Sequence, residues 1–425
     1  MIDDGPDSRY AWLRLSVSLM LMTIGASGMY VVGVVLPEVQ AEFGVSRSAA
    51  SMPYTLTMIG FGIGGVLMGR LSDRQGIAVP VVIGAVALGV GFVAAGLAPS
   101  LLWFGLAQGL LIGLLGTSAT FSPLMADTTL WFERRRGLAV AICASGNYLG
   151  GALWPLIAQH FVETVGWRQT YVGIGVVCTL SMLPLAWLMR RRAPVAGAVA
   201  AVAPGGEPAR PATVSRGTAT DFSRPLGMSP RALQVVLCVS GVSCCVAMSM
   251  PQVHIVAYCS DLGFGAARGA EMLSVMLGSG VVSRLASGWI SDRIGGLRTL
   301  LLGAILQTLA LVLFLPFDGL VSLYVISAMF GLFQGGIVPS YALIVREHFP
   351  ASEAGWRVGT TITSTLFGMA FGGWLSGVIF DLTGSYDAAF VNGIAWNLVT
   401  VIIALVLLRR AGPLRRAPPM AAAPA

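Results

Sequence analysis

The sequence predicts an all-alpha membrane protein: twelve transmembrane helices in two six-helix bundles. Three observations carry that prediction. Of the 425 residues, 56% are hydrophobic and 11% are charged, against roughly 25% charged in an ordinary soluble domain. The apolar stretches run to about twenty residues, the length a helix needs to cross a bilayer. They are apolar on all sides, unlike the alternating segments of about ten residues that build a membrane barrel. Finally, the sequence repeats itself. GRLSDRQG at 69–76 returns as GWISDRIG at 288–295, an offset of 219, and GWRQTYVGIG at 166–175 returns as GSYDAAFVNGI at 384–394, an offset of 218. Two matches at nearly one offset indicate six spans duplicated.

In chain order the spans fall at 12–36, 50–68, 77–97, 101–125, 137–159 and 168–189, then at 232–257, 270–291, 298–316, 321–345, 357–380 and 387–408. Asp3, Asp4 and Asp7 make a poor positive n-region, and no small-residue cleavage site follows, so the first span is expected to be retained. The stretch 190–231 is rich in Pro, Gly, Ser, Thr and Arg and reads as a disordered cytoplasmic linker. The division is therefore an N-terminal bundle, 1–189, the linker, a C-terminal bundle, 232–410, and a cytoplasmic tail, 411–425.

All 26 basic residues are arginine, and their placement predicts orientation. Arg9, Arg14, Arg70, Arg74, Arg134–Arg136, Arg190–Arg192, Arg293, Arg298, Arg346, Arg357, Arg409 and Arg410 flank one set of span ends, whereas the opposite loops hold Arg47, Arg168 and Arg268. The excess marks the cytoplasmic side, with both termini inside. The expected location is a bacterial inner (plasma) membrane, and the expected state is a monomer. The six cysteines lie in or beside spans without metal spacing and read as small packing residues. No cofactor, metal or nucleic-acid partner is implied. No nucleophile–base pair and no nucleotide-binding loop stand out, which excludes an enzyme and makes any transport secondary and gradient-driven.

Arg284 interrupts the eighth span. It lies eight residues before Asp292, or ~12 Å along a helix, well inside the bilayer, and no acidic residue lies within a helical turn of it. An intramembrane guanidinium needs a partner or a wet cavity. A ligand carboxylate meets that need through bidentate bonds; snorkelling or an interhelical hydrogen bond is the plainer reading. Other polar residues on apolar spans are Tyr30, Asn147, Tyr148, Gln252, His254, Tyr258 and Gln334, with Phe121 two residues before Pro123. His254 and Tyr258 are four apart and share a helix face.

The G-x-x-x-D-R-x-G loop after spans two and eight resembles the signature of the major facilitator superfamily, and the resemblance covers about residues 12–410. It implies two bundles that rock about a central site. It also makes Gly69, Asp73, Arg74, Gly288, Asp292 and Arg293 gating residues that do not touch substrate, with the glycines allowing close helix approach and the aspartates accepting charge-assisted bonds that latch the bundles when the cavity opens outward. WFERRRGLAVAICASGNYLGGALWPLI at 131–157 resembles the loop and fifth span of the monocarboxylate transporters and their oxalate–formate antiporter relatives. In that family an arginine on span eight binds the substrate carboxylate, and Arg284 matches it within R-L-x-S-G. The resemblance implies a small monocarboxylate of the lactate or pyruvate kind as substrate, with protons as the coupling ion.

The departures are specific. The animal carriers pair their arginine with an aspartate one turn earlier, where this chain has Gly280, and they use a lysine on span one, which this chain lacks. Span eleven, between Arg357 and Asp381, lacks the lysine of the oxalate antiporter, which argues for a singly charged acid. His254 is the expected proton-coupling group, since imidazole titrates near neutral pH. Two other readings stand beside this one: an organic-anion exchanger, or an exporter of hydrophobic or amphipathic compounds with Phe121, Met29, Met250 and Met276 along its pocket.

Overall fold

The computed structural model describes residues 7–132, 136–191 and 224–411. Nearly all of the linker and tail, the loop arginines Arg134 and Arg135, and the side chain of Asp292 lie outside the described residues. Among the described residues, twelve helices are long and apolar enough to cross a membrane: α1 Arg9–Val34, α2 Arg47–Gln75, α3 Ala78–Gly96, α4 Leu101–Trp131, α5 Gly137–Val165, α6 Trp167–Leu188, α7 Pro230–Asp261, α8 Ala266–Ser291, α9 Gly296–Leu313, α10 Leu320–His348, α11 Trp356–Thr383 and α12 Asp387–Ala411. The expected fold class holds, and several helices run a few residues past the apolar stretch because their polar ends reach the interface.

The duplication is visible in the packing. In the first half α1 lies on α5, α2 on α4 and α3 on α6; in the second, α7 lies on α11, α8 on α10 and α9 on α12. Small residues permit this closeness, as expected where lipid offers no hydrophobic drive for association. A Cβ on Gly113 of α4 would stand 2.5 Å from the Thr57 carbonyl oxygen of α2. The repeated loop also ends its helices alike, at Gly76 with φ 86° and Gly295 with φ 83°, backbone that glycine adopts without strain.

The halves meet along two related seams, α5 against α8 and α2 against α11. We call the face carrying the start of α1 and the end of α12 the terminal face, and the opposite one the distal face. Both seams are closed from the distal face inward. Gly377 of α11 sits against the backbone of Arg47 and Ser48, Gly373 against the Tyr54 ring, and Gly62 of α2 against Leu366. On the other seam Gly151 faces Leu277, and Ala144 still accepts a bond from Arg284. Nearer the terminal face, Gly69, Gly137, Gly288 and Gly359 have no neighbour among the described residues within 4 Å of a built Cβ. The two halves therefore part toward the terminal face.

The repeated loop lies at this parted face. No atom of another helix among the described residues comes within 4 Å of a Cβ built at Gly69 or Gly288 in this state. Asp73 and Arg74 are exposed without an ion pair among the described residues, and the Arg293 guanidinium lies over Trp289, its own helix neighbour, 3.4 Å from the ring centre. A latch between halves needs those loops together, and here they stand apart.

Candidate functional site

The site forms where the closed seams end. Arg284 of α8 is half-buried and crosses to the other half, donating from Nη1 to the Ala144 carbonyl at 3.2 Å. Its guanidinium carbon stands 4.4 Å from the centre of the Tyr148 ring, a cation–π contact. The plainer sequence reading, an interhelical bond, is thus met in part. It does not exhaust the group: Nε has no hydrogen-bond partner and no carboxylate pairs with the side chain among the described residues.

Tyr148 takes its place because position 280 has no side chain. A Cβ there would lie 2.7 Å from Cδ1 and Cε1 of the ring. The aspartate of the animal carriers would occupy that volume, so here the arginine rests on an aromatic face instead. One residue earlier, Asn147 accepts a hydrogen bond from the Tyr30 hydroxyl of α1 at 2.9 Å. The Tyr30 phenol lies within electrostatic reach of Tyr148, Tyr54 and Arg284. Four of the predicted residues, Arg284, Tyr148, Asn147 and Tyr30, therefore meet across three helices and both halves.

Tyr54 joins this group and was not singled out from sequence. It is buried on α2 against Gly373, and its hydroxyl has no partner among the described residues. A tyrosine in an apolar span was the available signal.

The remaining predicted residues stand elsewhere. Gln252 donates to Gln334 Oε1 at 3.0 Å, tying α7 to α10 within the second half; Gln252 Oε1 and Gln334 Nε2 have no partner among the described residues. Phe121 packs edge-on against Phe61 inside the first half. His254 and Tyr258 do share a face, and both meet Tyr386: His254 Nδ1 lies 3.1 Å from the Tyr386 hydroxyl, and the Tyr258 and Tyr386 rings are 5.6 Å apart. The other ring nitrogen of His254 bonds the Gly373 carbonyl at 2.8 Å. At 1.5 Å per residue, His254 sits ~16 Å nearer the distal face than Arg284, so the two do not form one site.

Above His254 lies a cluster that sequence reasoning missed. Arg47 of α2 forms an ion pair with Asp261 of α7, its one Nη2 donating to both carboxylate oxygens at 3.1 Å. Asp381 of α11 accepts from the backbone N–H groups of Arg47 and Ser48, both at 2.8 Å. Burial pushes the Tyr386 phenol up, against the lowering influence of Arg47. These residues were visible in sequence only as minority charges on the arginine-poor face.

A duplicated bundle with two interhelical seams and a polar cluster where they end has the architecture of a membrane carrier. The Major Facilitator Superfamily model matches residues 18–355 and 237–424. The chain belongs to that superfamily, and is a multi-pass membrane transporter rather than an enzyme. Monocarboxylate transporter 13 of Rattus norvegicus is 26% identical over 401 residues, covering 91% of this chain and 86% of that protein. Agnestins efflux protein AgnL12 of Paecilomyces divaricatus is 24% identical over 343 residues, covering 81% of this chain and 74% of that protein. Among solved structures, the peptide transporter POT in complex with sulfate superposes with a TM-score of 0.71 at 14% identity over 96% of each chain, a likeness of fold alone.

Proposed function

We propose that the protein carries a small monocarboxylate, of the lactate or pyruvate kind, across the membrane together with a proton, and that Arg284 binds the carboxylate. One observation carries the reading: a guanidinium at the junction of both halves, with no protein carboxylate paired to it and Nε unpartnered among the described residues. A planar fork held on an aromatic face suits a carboxylate better than a point charge would. Tyr54 and Tyr30 supply hydroxyls for the rest of the molecule, and a single cation in the cluster favours a monoanion. The likeness to a monocarboxylate transporter supports the substrate class.

The proposal puts the termini in the cytoplasm of a bacterial cell, so the state described opens inward. His254 is the proton carrier in this reading. Its ring lies between Tyr386 and Gly373, within electrostatic reach of Arg47 and Asp381, so a proton there alters the charge balance beneath the distal contact.

The test is uptake of labelled monocarboxylates into proteoliposomes under an inward proton gradient. Gradient-driven uptake by the wild type, lost in R284A, mostly lost in R284K and uncoupled from the gradient in H254Q, is the expected result. Acid transport that survives R284A overturns the assignment. Export of an amphipathic compound, as named for the fungal efflux relative, then becomes the better reading.

A further inference from the structure

We propose that Arg47 and the first turn of α2 form a second carboxylate-binding centre on the transport path: the protein's own Asp261 and Asp381 fill it in the present state, and the substrate's carboxylate takes their place when the halves part at the distal face. The inference deepens the carboxylate reading given above and rests on it.

The structure shows what this centre binds, because two carboxylates are already on it. Asp261 takes the guanidinium through both oxygens. Asp381 takes the end of the helix: its two oxygens accept from the N–H groups of Arg47 and Ser48, while Ser46 caps Ala49 at 3.3 Å. A helix N-terminus favours an anion through its unpaired N–H groups and its dipole. The α2 end is reinforced by a buried cation whose Nε remains without a partner among the described residues.

Ownership of the partners decides the consequence. Arg47 belongs to the first half. Asp261, Asp381, Phe380 and Tyr386, which hold its side chain or backbone, all belong to the second, and the guanidinium carbon lies 4.7 Å from the Phe380 ring centre and 5.9 Å from that of Tyr386. When the halves separate at this face, every one of these contacts breaks at once. Arg47 and the α2 N-terminus are then left together, positive and unpaired, at the mouth of the path. A recess of about 310 Å³ already reaches this point, with Gln40, Arg47, Ser260 and Asp261 in its wall. An incoming monocarboxylate replaces the lost internal partners and lowers the cost of keeping the distal face open.

The two roles separate by the sign of their effects. Ser260 lines the recess and is half-buried, so S260C reports opening through its rate of reaction with a membrane-impermeant maleimide added on the distal side of cells expressing the full chain. The protein without S260C sets the background from the native cysteines. In the S260C protein, R47Q and D261N should both speed labelling several-fold over that background, since either breaks the internal pair. Uptake of labelled lactate from the distal side should then divide them. R47Q should raise KM about tenfold, the scale of one lost charge-assisted contact, whereas D261N should leave KM unchanged or lower it. D381N, which leaves Arg47 intact, should behave as D261N does, and stands in if R47Q fails to fold. Unchanged labelling, or equal rises in KM in the arginine and aspartate variants, overturns the inference and leaves the carboxylate reading standing. If the wild type moves no labelled acid while the variants still label faster, the carboxylate reading falls and Arg47 is a gate alone.

Discussion

The Arg284 guanidinium lies over the face of the Tyr148 ring, 4.4 Å from its centre, with the two residues contributed by opposite halves of the protein. The contact orients the fork while leaving Nε without a hydrogen-bond partner among the described residues, and it engages no carboxylate as an ion pair would. A cation–π contact is worth about 0.5–2 kcal/mol. Y148F keeps the ring and should transport with a KM within about threefold of wild type, whereas Y148L should raise KM by about tenfold or more. Uptake kinetics on the two variants decide it; equal losses would show that the hydroxyl, not the face, holds the arginine.

Gly280 is the second half of that arrangement. G280A places a methyl group 2.7 Å from two atoms of the Tyr148 ring, so the ring must tilt and Arg284 must follow. Folding should survive, because the seam is one contact among many, but substrate KM should rise. The double variant G280A/Y148L should be little worse than Y148L, since both act through one ring. Additive losses in that cycle would place the effect of Gly280 elsewhere.

The fold was legible because bilayer physics leaves few choices: twenty-residue apolar runs must be helices, and an offset repeated twice reveals the duplication. Arg284 was legible for the same reason, as a charge where charge is costly. Its support was not. Tyr148 and Asn147 were readable as polar residues in a span, but that they meet Tyr30 and Arg284 depends on how α1, α5 and α8 cross. Asp381 was hidden more deeply. It lies 334 residues from the backbone it caps, and no local pattern announces a helix capped by the other half. The repeated loop is the opposite case: its residues are plain in sequence, but the latch expected of them belongs to a state with the terminal face closed, which is not the state described.

The pair Arg14 and Asp127 should govern stability rather than transport. Nε and Nη2 of Arg14 each lie 2.9 Å from an Asp127 oxygen, and Nη1 also donates to the carbonyls of Met189 and Arg191, so α1 and α4 are fastened to the end of α6. The side chains are 2% and 8% exposed. Removing one partner from a buried pair typically costs about 3–5 kcal/mol, and replacing both with apolar groups costs less. D127N should therefore melt well below wild type in detergent, and R14M/D127L should recover part of the loss. A double variant worse than either single would mean the pair is held for the bonds to the α6 carbonyls.

Two carboxyls on the short helix Leu36–Phe43, which follows α1, should respond to pH with opposite signs. Partial burial pushes Glu42 upward, but hydrogen bonds from Arg168 and Trp167 and the Arg168 charge outweigh it and hold the group below its ordinary value. Burial pushes Glu38 up, with its own backbone hydrogen bond opposing and the Glu163 charge adding to the rise. For Glu42 the folded pKa is depressed, so its contribution is present above the unfolded value, near 4.3, and is lost as pH falls through the folded value. For Glu38 the folded pKa is raised, so the carboxylate form opposes folding once pH passes above both values, and that penalty disappears in acid. Melting midpoints against pH should show E42Q below wild type at pH 6–8, with the gap closing toward pH 3. E38Q should lie above wild type over the same neutral range and converge with it in acid. A pH-independent gap for E42Q would show that Gln keeps too little of the geometry with Arg168 and Trp167 for the charge to be what the helix relies on.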